Sequence, residues 1–253
     1  MDLRSRRIVA SLDLKGIGLE YGPLNRVVAD KEACHGVRYV DFAPREVLAK
    51  KYKDDPNVDI ELIPEIDIVT NGMPISQFVE PGSLDFIIAS HVLEHVPDLV
   101  GWLSENLSLL RPGGRIGVAF PDRRYCFDLG RNRTILSDLV AAHLEARTRP
   151  SFAQICDHIM NVRKVNPVSI WAGSTTKDNA PFMHDNGQAL QILGNLLQRD
   201  DYIDVHCWKF ADVEMQSMLN EIKNLFGIPF VLLTFFPVQP NSIEFYFTLE
   251  KTG

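Results

Sequence analysis

Two acidic side chains stand where two predicted strands end. Glu20 lies in the string GLEYG, at the end of a strand predicted over residues 17–21, and Asp41 lies in a second predicted strand over residues 37–42. An acidic residue about 20 positions beyond a glycine turn can accept hydrogen bonds from the hydroxyls of a ribose. Gly22 removes a side chain where the backbone must approach such a ligand. The pair predicts a ribose-binding site; an ordinary turn followed by a solvated strand end is the alternative.

Polar residues also follow the third and fourth predicted strands. Asn71 and Gly72 close a strand over residues 66–70, and Ser90 and His91 come at the end of the apolar string DFIIAS. A strand that is apolar on both faces is typical of the buried centre of a parallel sheet. His91 is therefore expected close to a ligand at this edge, as the first candidate for a general base.

The other histidines give weaker signals. Glu94 and His95 form the triplet LEH, which indicates a local turn after a strand more than a catalytic pair. Four further histidines do not share the sequence spacing of metal ligands, so we expect no metal site. They are His143, His158, His184 and His206.

A polar segment, PDRRYCFD, follows the fifth predicted strand on the expected ligand side. Asp122, Arg123, Arg124 and Tyr125 could hold a polar acceptor, since arginine suits phosphate or carboxylate groups. An ion-paired connector is the equal alternative.

The elements that position these residues alternate between strands and helices. Helices are predicted after Pro44 and Asp98, and a strand over residues 115–120. Ser151 and Gln154 have capping-box spacing at the start of a helical region. Residues 166–186 are polar and irregular, which favours a loop or lid. The end of the chain predicts a helix over 213–226 and a hairpin of strands over 230–236 and 243–249.

The ordered strings GLEYGPLNRVV, VRYVD, VTNGMPISQFVEPGSLDFIIASHVLEHVPD and LSLLRPGGRIGVAFPD resemble the successive motifs of class I S-adenosylmethionine-dependent methyltransferases. The likeness covers about residues 16–122 and is greatest to the small-molecule and ubiquinone-type branch. The string DVHCWKF, at 204–210, bears a looser likeness to bacterial methyltransferases linked with glycan biosynthesis. Within it, Trp208 and Phe210 are candidates for a sugar-stacking platform or for a hydrophobic staple before the next helix.

The resemblance implies S-adenosylmethionine as cofactor and a role for each matching residue. By this resemblance the methionine part of the cofactor would lie beside the first turn and its ribose at Asp41. The adenine would lie at Asn71, and the methyl group at the end of the fourth strand. The cofactor-binding residues implied are Glu20, Gly22, Pro23, Asp41, Asn71, Gly72, Ser90 and His91. Two departures from the motifs are Leu24, where a second glycine is usual, and the amide of Asn71, where an aspartate is common. A hydroxyl acceptor would use a base, for which His91, His158 and His184 are the candidates.

Composition narrows the classes of partner. The net charge of −7 and the interrupted basic clusters argue against nucleic acid, whose binding is driven by release of cations from phosphates. No apolar stretch predicts a signal peptide or a membrane span. Four widely spaced cysteines indicate reduced thiols, so we expect a cytoplasmic protein. From its charge and hydropathy we expect that it binds neither nucleic acid nor membrane.

The sequence thus predicts an α/β fold, a doubly wound, seven-stranded and mostly parallel Rossmann-like sheet with a C-terminal antiparallel hairpin. Residues 1–122 would bind the donor, 123–205 would form a helical insertion serving as lid and acceptor site, and 206–253 would complete the sheet. The short segment before the first strand is expected to cover little of the site. The expected function is methyl transfer to a small polar or glycan-like acceptor, at oxygen. Alternatives are a noncatalytic binding or regulatory module and an enzyme using NAD or a nucleotide sugar, although GxGxxG is absent after the first strand. The oligomeric state is left open.

Overall fold

The computed structural model describes residues 1–199 and 201–253, and its strands form one sheet. Asp200, which falls in the predicted insertion, lies outside the described residues. Seven strands make up the sheet. They are β1 (Gly18–Tyr21), β2 (Val37–Asp41), β3 (Ile68–Val69), β4 (Leu84–Ser90), β5 (Leu110–Pro121), β6 (Phe230–Phe236) and β7 (Glu244–Lys251).

The strand order is β3-β2-β1-β4-β5-β7-β6. Strands β1 to β5 are parallel to one another, whereas β7 runs antiparallel to both of its neighbours, β5 and β6. The order reverses between β1 and β4, and the carboxyl ends of the strands open a crevice at such a point. The predicted fold, including the C-terminal antiparallel pair, is confirmed.

Helices cover both faces of the sheet. They are α1 (Leu3–Ile8), α2 (Arg45–Tyr52), α3 (Leu99–Leu109), α4 (Leu136–Leu144), α5 (Phe152–Asn161), α6 (Pro167–Trp171), α7 (Asn186–Leu196) and α8 (Asp212–Phe226). Short 3-10 turns occupy Ile60–Leu62 and Ile75–Gln77. Among the described helices, none combines the length and the hydrophobicity that a bilayer span requires.

The central strand β4 shows why the sequence is apolar there. Ile87 and Ala89 belong to the core cluster that includes residues of α3, α4 and α8, while Phe86 and Ile88 belong to the opposite cluster with Ile8 of α1. Successive side chains of a strand alternate between faces, so a strand buried on both sides needs a continuous apolar run.

Local signals set the helix starts near the site. Asp98 accepts a hydrogen bond from the backbone amide of Gly101 at 2.8 Å and caps α3. Ser151 and Gln154 form the predicted capping box of α5. These caps satisfy amides that the first turn of a helix otherwise leaves unpaired.

The predicted loop over 166–186 is wrong in one part, because it contains the short helix α6. Asn166 caps this helix and Pro167 occupies its first turn, where a missing amide costs nothing. The ring of Trp171 at its end stacks on Tyr125 with centroids 4.0 Å apart. Apolar periodicity could not reveal a helix of five residues.

The segment before β1 is also more than a short extension. Helix α1 packs on β5 and β7, and the carbonyl oxygen of Ile8 lies 2.2 Å from the position that a Cβ of Gly117 would occupy. Only glycine permits this approach. The packing carries Arg4 to the carboxyl edge of the sheet, contrary to the expectation that this segment covers little of the site.

Candidate active site

A cavity of about 1730 Å³ lies at the carboxyl ends of the strands. Every residue that the resemblance assigned to the cofactor lines it. These residues are Glu20, Gly22, Pro23, Asp41, Asn71, Gly72, Ser90 and His91. The parallel sheet explains the grouping, because strands of the same direction end at the same edge.

The turn after β1 is held by the carboxylate of Glu20. Its two oxygens accept hydrogen bonds from the amides of Val28 and Ala29 at 2.7 and 2.8 Å. Burial raises the pKa of Glu20 to about 7, even though these amide bonds favour the ionised form. Glu20 therefore fixes the loop that borders the cavity. Gly22 has φ of 52°, and Leu24, which replaces the usual second glycine, has φ of 43° in the region that disfavours a side chain.

Asp41 is the last residue of β2, and Asn71 follows the adjacent strand β3 by two residues. Oδ1 of Asp41 accepts from the amide of Phe42 at 2.7 Å, and Asp41 lines the cavity. Burial raises the pKa of Asp41 to about 6. Asn71 is exposed with φ of 50°, a conformation that asparagine tolerates better than most residues. The pair adds a carboxylate and an amide to the lining of the cavity.

His91 is held between two carboxylates at the end of β4. Its Nε2 lies 2.6 Å from Oε1 of Glu244, and its Nδ1 lies 3.2 Å from Oε1 of Glu94. Burial alone would lower the pKa of His91, but the two carboxylates outweigh it and raise the pKa to about 9. Both ring nitrogens lie against carboxylates, and with this pKa the imidazole is already protonated at neutral pH, so His91 is not poised to accept a proton.

Arg4 of α1 completes this network. Its Nε donates to Glu244 at 2.8 Å, and its Nη2 donates to the hydroxyl of Ser90. Burial would raise the pKa of Glu244, but His91 and Arg4 outweigh it and lower the pKa to about 2. The carboxylate is therefore ionised at neutral pH.

The two other candidate bases do not line the cavity. His158 lies beside Arg131, and burial together with that cation lowers its pKa to about 4. His184 lies in the chain before α7, away from the lining residues.

The structure does not bring the predicted acceptor residues of the segment after β5 to the cavity either. Asp122 is fully buried and accepts from Arg124, while Arg123 forms two hydrogen bonds to Glu214 at 2.9 and 2.7 Å. Tyr125 stacks on α6. These contacts are those of the alternative, an ion-paired connector.

Sequence reasoning missed the side chains that close the cavity opposite the strands. The insertion supplies residues from two stretches, 146–148 and 202–204, and α3 adds an aromatic ring. The polar and aromatic ones are Trp102, Arg147, Tyr202 and Asp204, together with Lys51 of α2. Their positions depend on tertiary packing, and no local motif marks them.

Trp208 and Phe210 are not available as a stacking platform. Their exposed fractions are 1% and 0%, and the indole of Trp208 donates to the carbonyl of Val96 at 2.6 Å. They belong to the hydrophobic core on the α8 side of the sheet.

The profile of the family described as "Methyltransferase domain" matches residues 2–159, which is more than half of the chain. No curated protein matches the sequence. Among solved structures, a Rhodobacter sphaeroides protein provisionally described as a zinc-dependent alcohol dehydrogenase has a TM-score of 0.52 at 13% identity, covering 100% of this chain and 91% of its own. This likeness shows a shared fold and nothing more.

Two methyltransferase structures are also similar at low identity. One, from Listeria monocytogenes, is provisionally described as S-adenosylmethionine-dependent, with a TM-score of 0.48, 12% identity and 98% coverage of both chains. The other is the Burkholderia thailandensis 1,6-didemethyltoxoflavin-N1-methyltransferase with bound 1,6-didemethyltoxoflavin and S-adenosylhomocysteine. It has a TM-score of 0.47 and 13% identity, and the match covers 98% of this chain and 76% of that one.

Proposed function

This chain belongs to the methyltransferase-domain family, as a class I S-adenosylmethionine-dependent enzyme, and from that premise we propose that it methylates a hydroxyl of a small polar, glycan-like acceptor. The observation that carries the proposal is a single cavity shared by the strand ends and the insertion. Ligand pockets typically occupy ~300–1,000 Å³. At about 1730 Å³ the cavity has room for a donor and an acceptor together.

The residues at the strand ends fit S-adenosylmethionine. Asp41 would accept from the ribose hydroxyls, Asn71 would contact the adenine, and the turn at Gly22 leaves space for the methionine part. An amide in place of a carboxylate at Asn71 removes charge assistance but keeps an acceptor. Glu20 would hold the bordering loop in place through its bonds to two amides.

The acceptor would bind on the side that the insertion closes. Trp102 and Tyr202 offer apolar ring surface, which suits the carbon-bound face of a sugar. Arg147 and Asp204 offer a hydrogen-bond donor and an acceptor for hydroxyl groups. This mixture of aromatic and charged side chains supports a polar acceptor of small size.

The chain's own residues would act by alignment. The cofactor supplies an activated methyl group, so no residue needs to form a covalent bond. Asp204 would orient the acceptor hydroxyl and take its proton as the oxygen bonds to the methyl carbon and the carbon–sulfur bond breaks, leaving S-adenosylhomocysteine. The aromatic rings would exclude water from the reacting atoms. Both ring nitrogens of His91 lie against carboxylates, Glu244 and Glu94. His91 would therefore act as a positioning residue, which holds Glu244 against the end of β4.

Calorimetric titration with S-adenosylmethionine and S-adenosylhomocysteine tests the donor site, with NAD as control. We expect micromolar binding of both sulfur ligands and none of NAD. Mass spectrometry of a panel of sugars and nucleotide sugars, incubated with enzyme and donor, then tests the acceptor. Methylated products at a hydroxyl support the proposal; exclusive methylation of amines contradicts the oxygen assignment. Donor binding with no product from any acceptor favours the noncatalytic module.

A further inference from the structure

A carboxylate and two imidazoles meet at the cavity wall, outside the residues assigned to the donor; one of the imidazoles, His95, lines the cavity. Glu94 and His95 follow β4, and His206 lies in the segment before α8. One potential ligand atom from each lies within 4.8 Å of the others. Glu94 and His206 are buried, and His95 is half-buried.

The carboxylate of Glu94 lacks aligned hydrogen-bond donors, although two imidazoles lie near it. Its residue is 0% exposed, and neither side-chain oxygen accepts a hydrogen bond within the described part of the chain. His91 lies within ion-pair distance of one oxygen, at 3.2 Å, but is not aligned to donate. A buried carboxylate is costly unless it is hydrogen-bonded or coordinates a cation. The carboxylate oxygens are therefore free to coordinate a cation held between Glu94 and the two other histidines.

Both imidazoles are oriented by a second carboxylate. Nδ1 of His95 lies 2.8 Å from Oδ1 of Asp204, and Nδ1 of His206 lies 2.7 Å from Oδ2 of Asp128. A carboxylate on one ring nitrogen fixes the proton there and leaves the other nitrogen as a lone-pair donor, which is the usual arrangement behind metal-bound histidine. Each ring thus keeps Nε2 for a ligand.

The backbone holds the two segments at the required separation. The amide of Cys207 donates to the carbonyl of Glu94 at 2.7 Å, next to both ligand positions. Nε2 of His95 lies 3.9 Å from Oε1 of Glu94. Ligand atoms of a tetrahedral zinc ion are roughly 3.3 Å apart, given bonds of ~2.0–2.2 Å. Small side-chain rotations would close the remaining gap.

We propose that Glu94, His95 and His206 bind one divalent transition-metal ion of the Zn²⁺ class. Two imidazoles and one carboxylate form a set that zinc accepts, with a fourth position left for water. The ion would neutralise Glu94 and cross-link the end of β4 to the segment that leads into α8. It would also fix Asp204, through His95, at the wall of the cavity. The expectation of no metal site came from sequence spacing, which cannot detect ligands from two distant segments.

The proposal can be tested by metal binding alone, without an acceptor. The full chain, treated with chelator and dialysed, is titrated with Zn²⁺ in competition with a chromogenic chelator, and separately with Co²⁺ while visible absorption is recorded. We expect one equivalent of Zn²⁺ bound with micromolar or tighter affinity and a Co²⁺ spectrum of nitrogen and oxygen ligands. His95→Gln and His206→Gln should each weaken zinc binding by at least ~100-fold, since loss of even an outer partner costs 10- to 100-fold.

His143→Gln is the matched control. His143 also places Nδ1 on an aspartate, Asp98, at 2.9 Å, and its side chain is 33% exposed, as is that of His95. Its zinc affinity should equal that of the unchanged chain. Circular dichroism verifies folding, and Glu94→Gln, which keeps the volume, provides a third ligand variant. Absence of zinc binding in the unchanged chain overturns the proposal, as does equal weakening by the control. A thiolate charge-transfer band in the Co²⁺ spectrum would overturn the ligand set by pointing to Cys207.

Discussion

Arg4 and Glu244 stand 240 positions apart in the sequence, and Nε of Arg4 donates to Oε1 of Glu244 across 2.8 Å. The same carboxylate oxygen lies 2.6 Å from Nε2 of His91. One carboxylate thus joins the first helix, the last strand and the end of β4. Because charged hydrogen bonds in a partly buried setting are the stronger ones, this contact fixes the edge of the cavity where the methyl group is expected.

Removal of the Arg4 guanidinium should slow methyl transfer. Arg4→Met removes one of the donors to Glu244, which keeps His91 and Tyr246, and also removes the guanidinium that donates to Ser90; a hydrogen bond to a charged group contributes about 1.5–3 kcal/mol. We expect kcat to fall by ~10- to 100-fold while the chain remains folded. Arg6→Met, in an exposed position of the same helix, should leave kcat unchanged. Equal rates for both variants would contradict this role for the network.

Asp41 should govern donor affinity. Asp41→Ala removes the carboxylate from the end of β2, and we expect binding of S-adenosylmethionine to weaken by about 1–3 kcal/mol, as measured by calorimetry. Asp41→Asn keeps one acceptor oxygen and should give a smaller loss. Asp54→Ala, whose side chain is exposed, serves as the control. A folded Asp41→Ala protein that binds the donor normally would show that ribose is held elsewhere.

Donor affinity should also depend on pH through the same residue. Burial raises the pKa of Asp41 to about 6, so below that pH the carboxyl becomes protonated in the free enzyme and loses an acceptor. A bound ribose favours the ionised form, and the affinity should therefore fall as pH drops from 7 to 5. The affinity of Asp41→Asn measured over the same range should be flat. A slope that survives in this variant would assign the pH dependence to another group.

The sequence predicted those features that are encoded within one segment. The order of strands and helices followed from apolar periodicity and capping residues such as Asp98, although β5 begins at Leu110 instead of Arg115 and β3 is shorter than predicted. The edge that gathers Glu20, Asp41 and Asn71 followed from the rule for parallel strands. Features that need two distant segments were missed. Arg4 reaches the site because Gly117 lets α1 pack closely, and neither residue carries a signal that names the other.

The same limit applies to the pairing of His95 with Asp204 and to the acceptor side of the cavity. Those contacts depend on how the insertion folds back over the strand ends, which is determined by packing and not by periodicity. Conversely, PDRRYCFD had suitable residue types for an acceptor, but its charges are directed to partners within the fold, such as Glu214. Residue type alone does not distinguish a binding arginine from one that stabilises the connector.

Variants of two arginines with similar exposure can distinguish acceptor binding from stabilisation of the connector. The side chains of Arg147 and Arg123 are 19% and 22% exposed, and each pairs with a carboxylate. Arg147 lines the cavity and its partner Glu145 is 60% exposed, whereas Arg123 is not among the lining residues and its partner Glu214 is only 17% exposed. Arg147→Met should raise the acceptor KM by ~10-fold, as expected for one lost hydrogen bond to a polar ligand, and leave the melting temperature nearly unchanged. Arg123→Met should lower the melting temperature, because Glu214 is left partly buried without its partner, and should leave the acceptor KM as it was. KM and thermal unfolding measured on both variants decide the assignment, and the reverse pattern would return acceptor binding to the segment after β5.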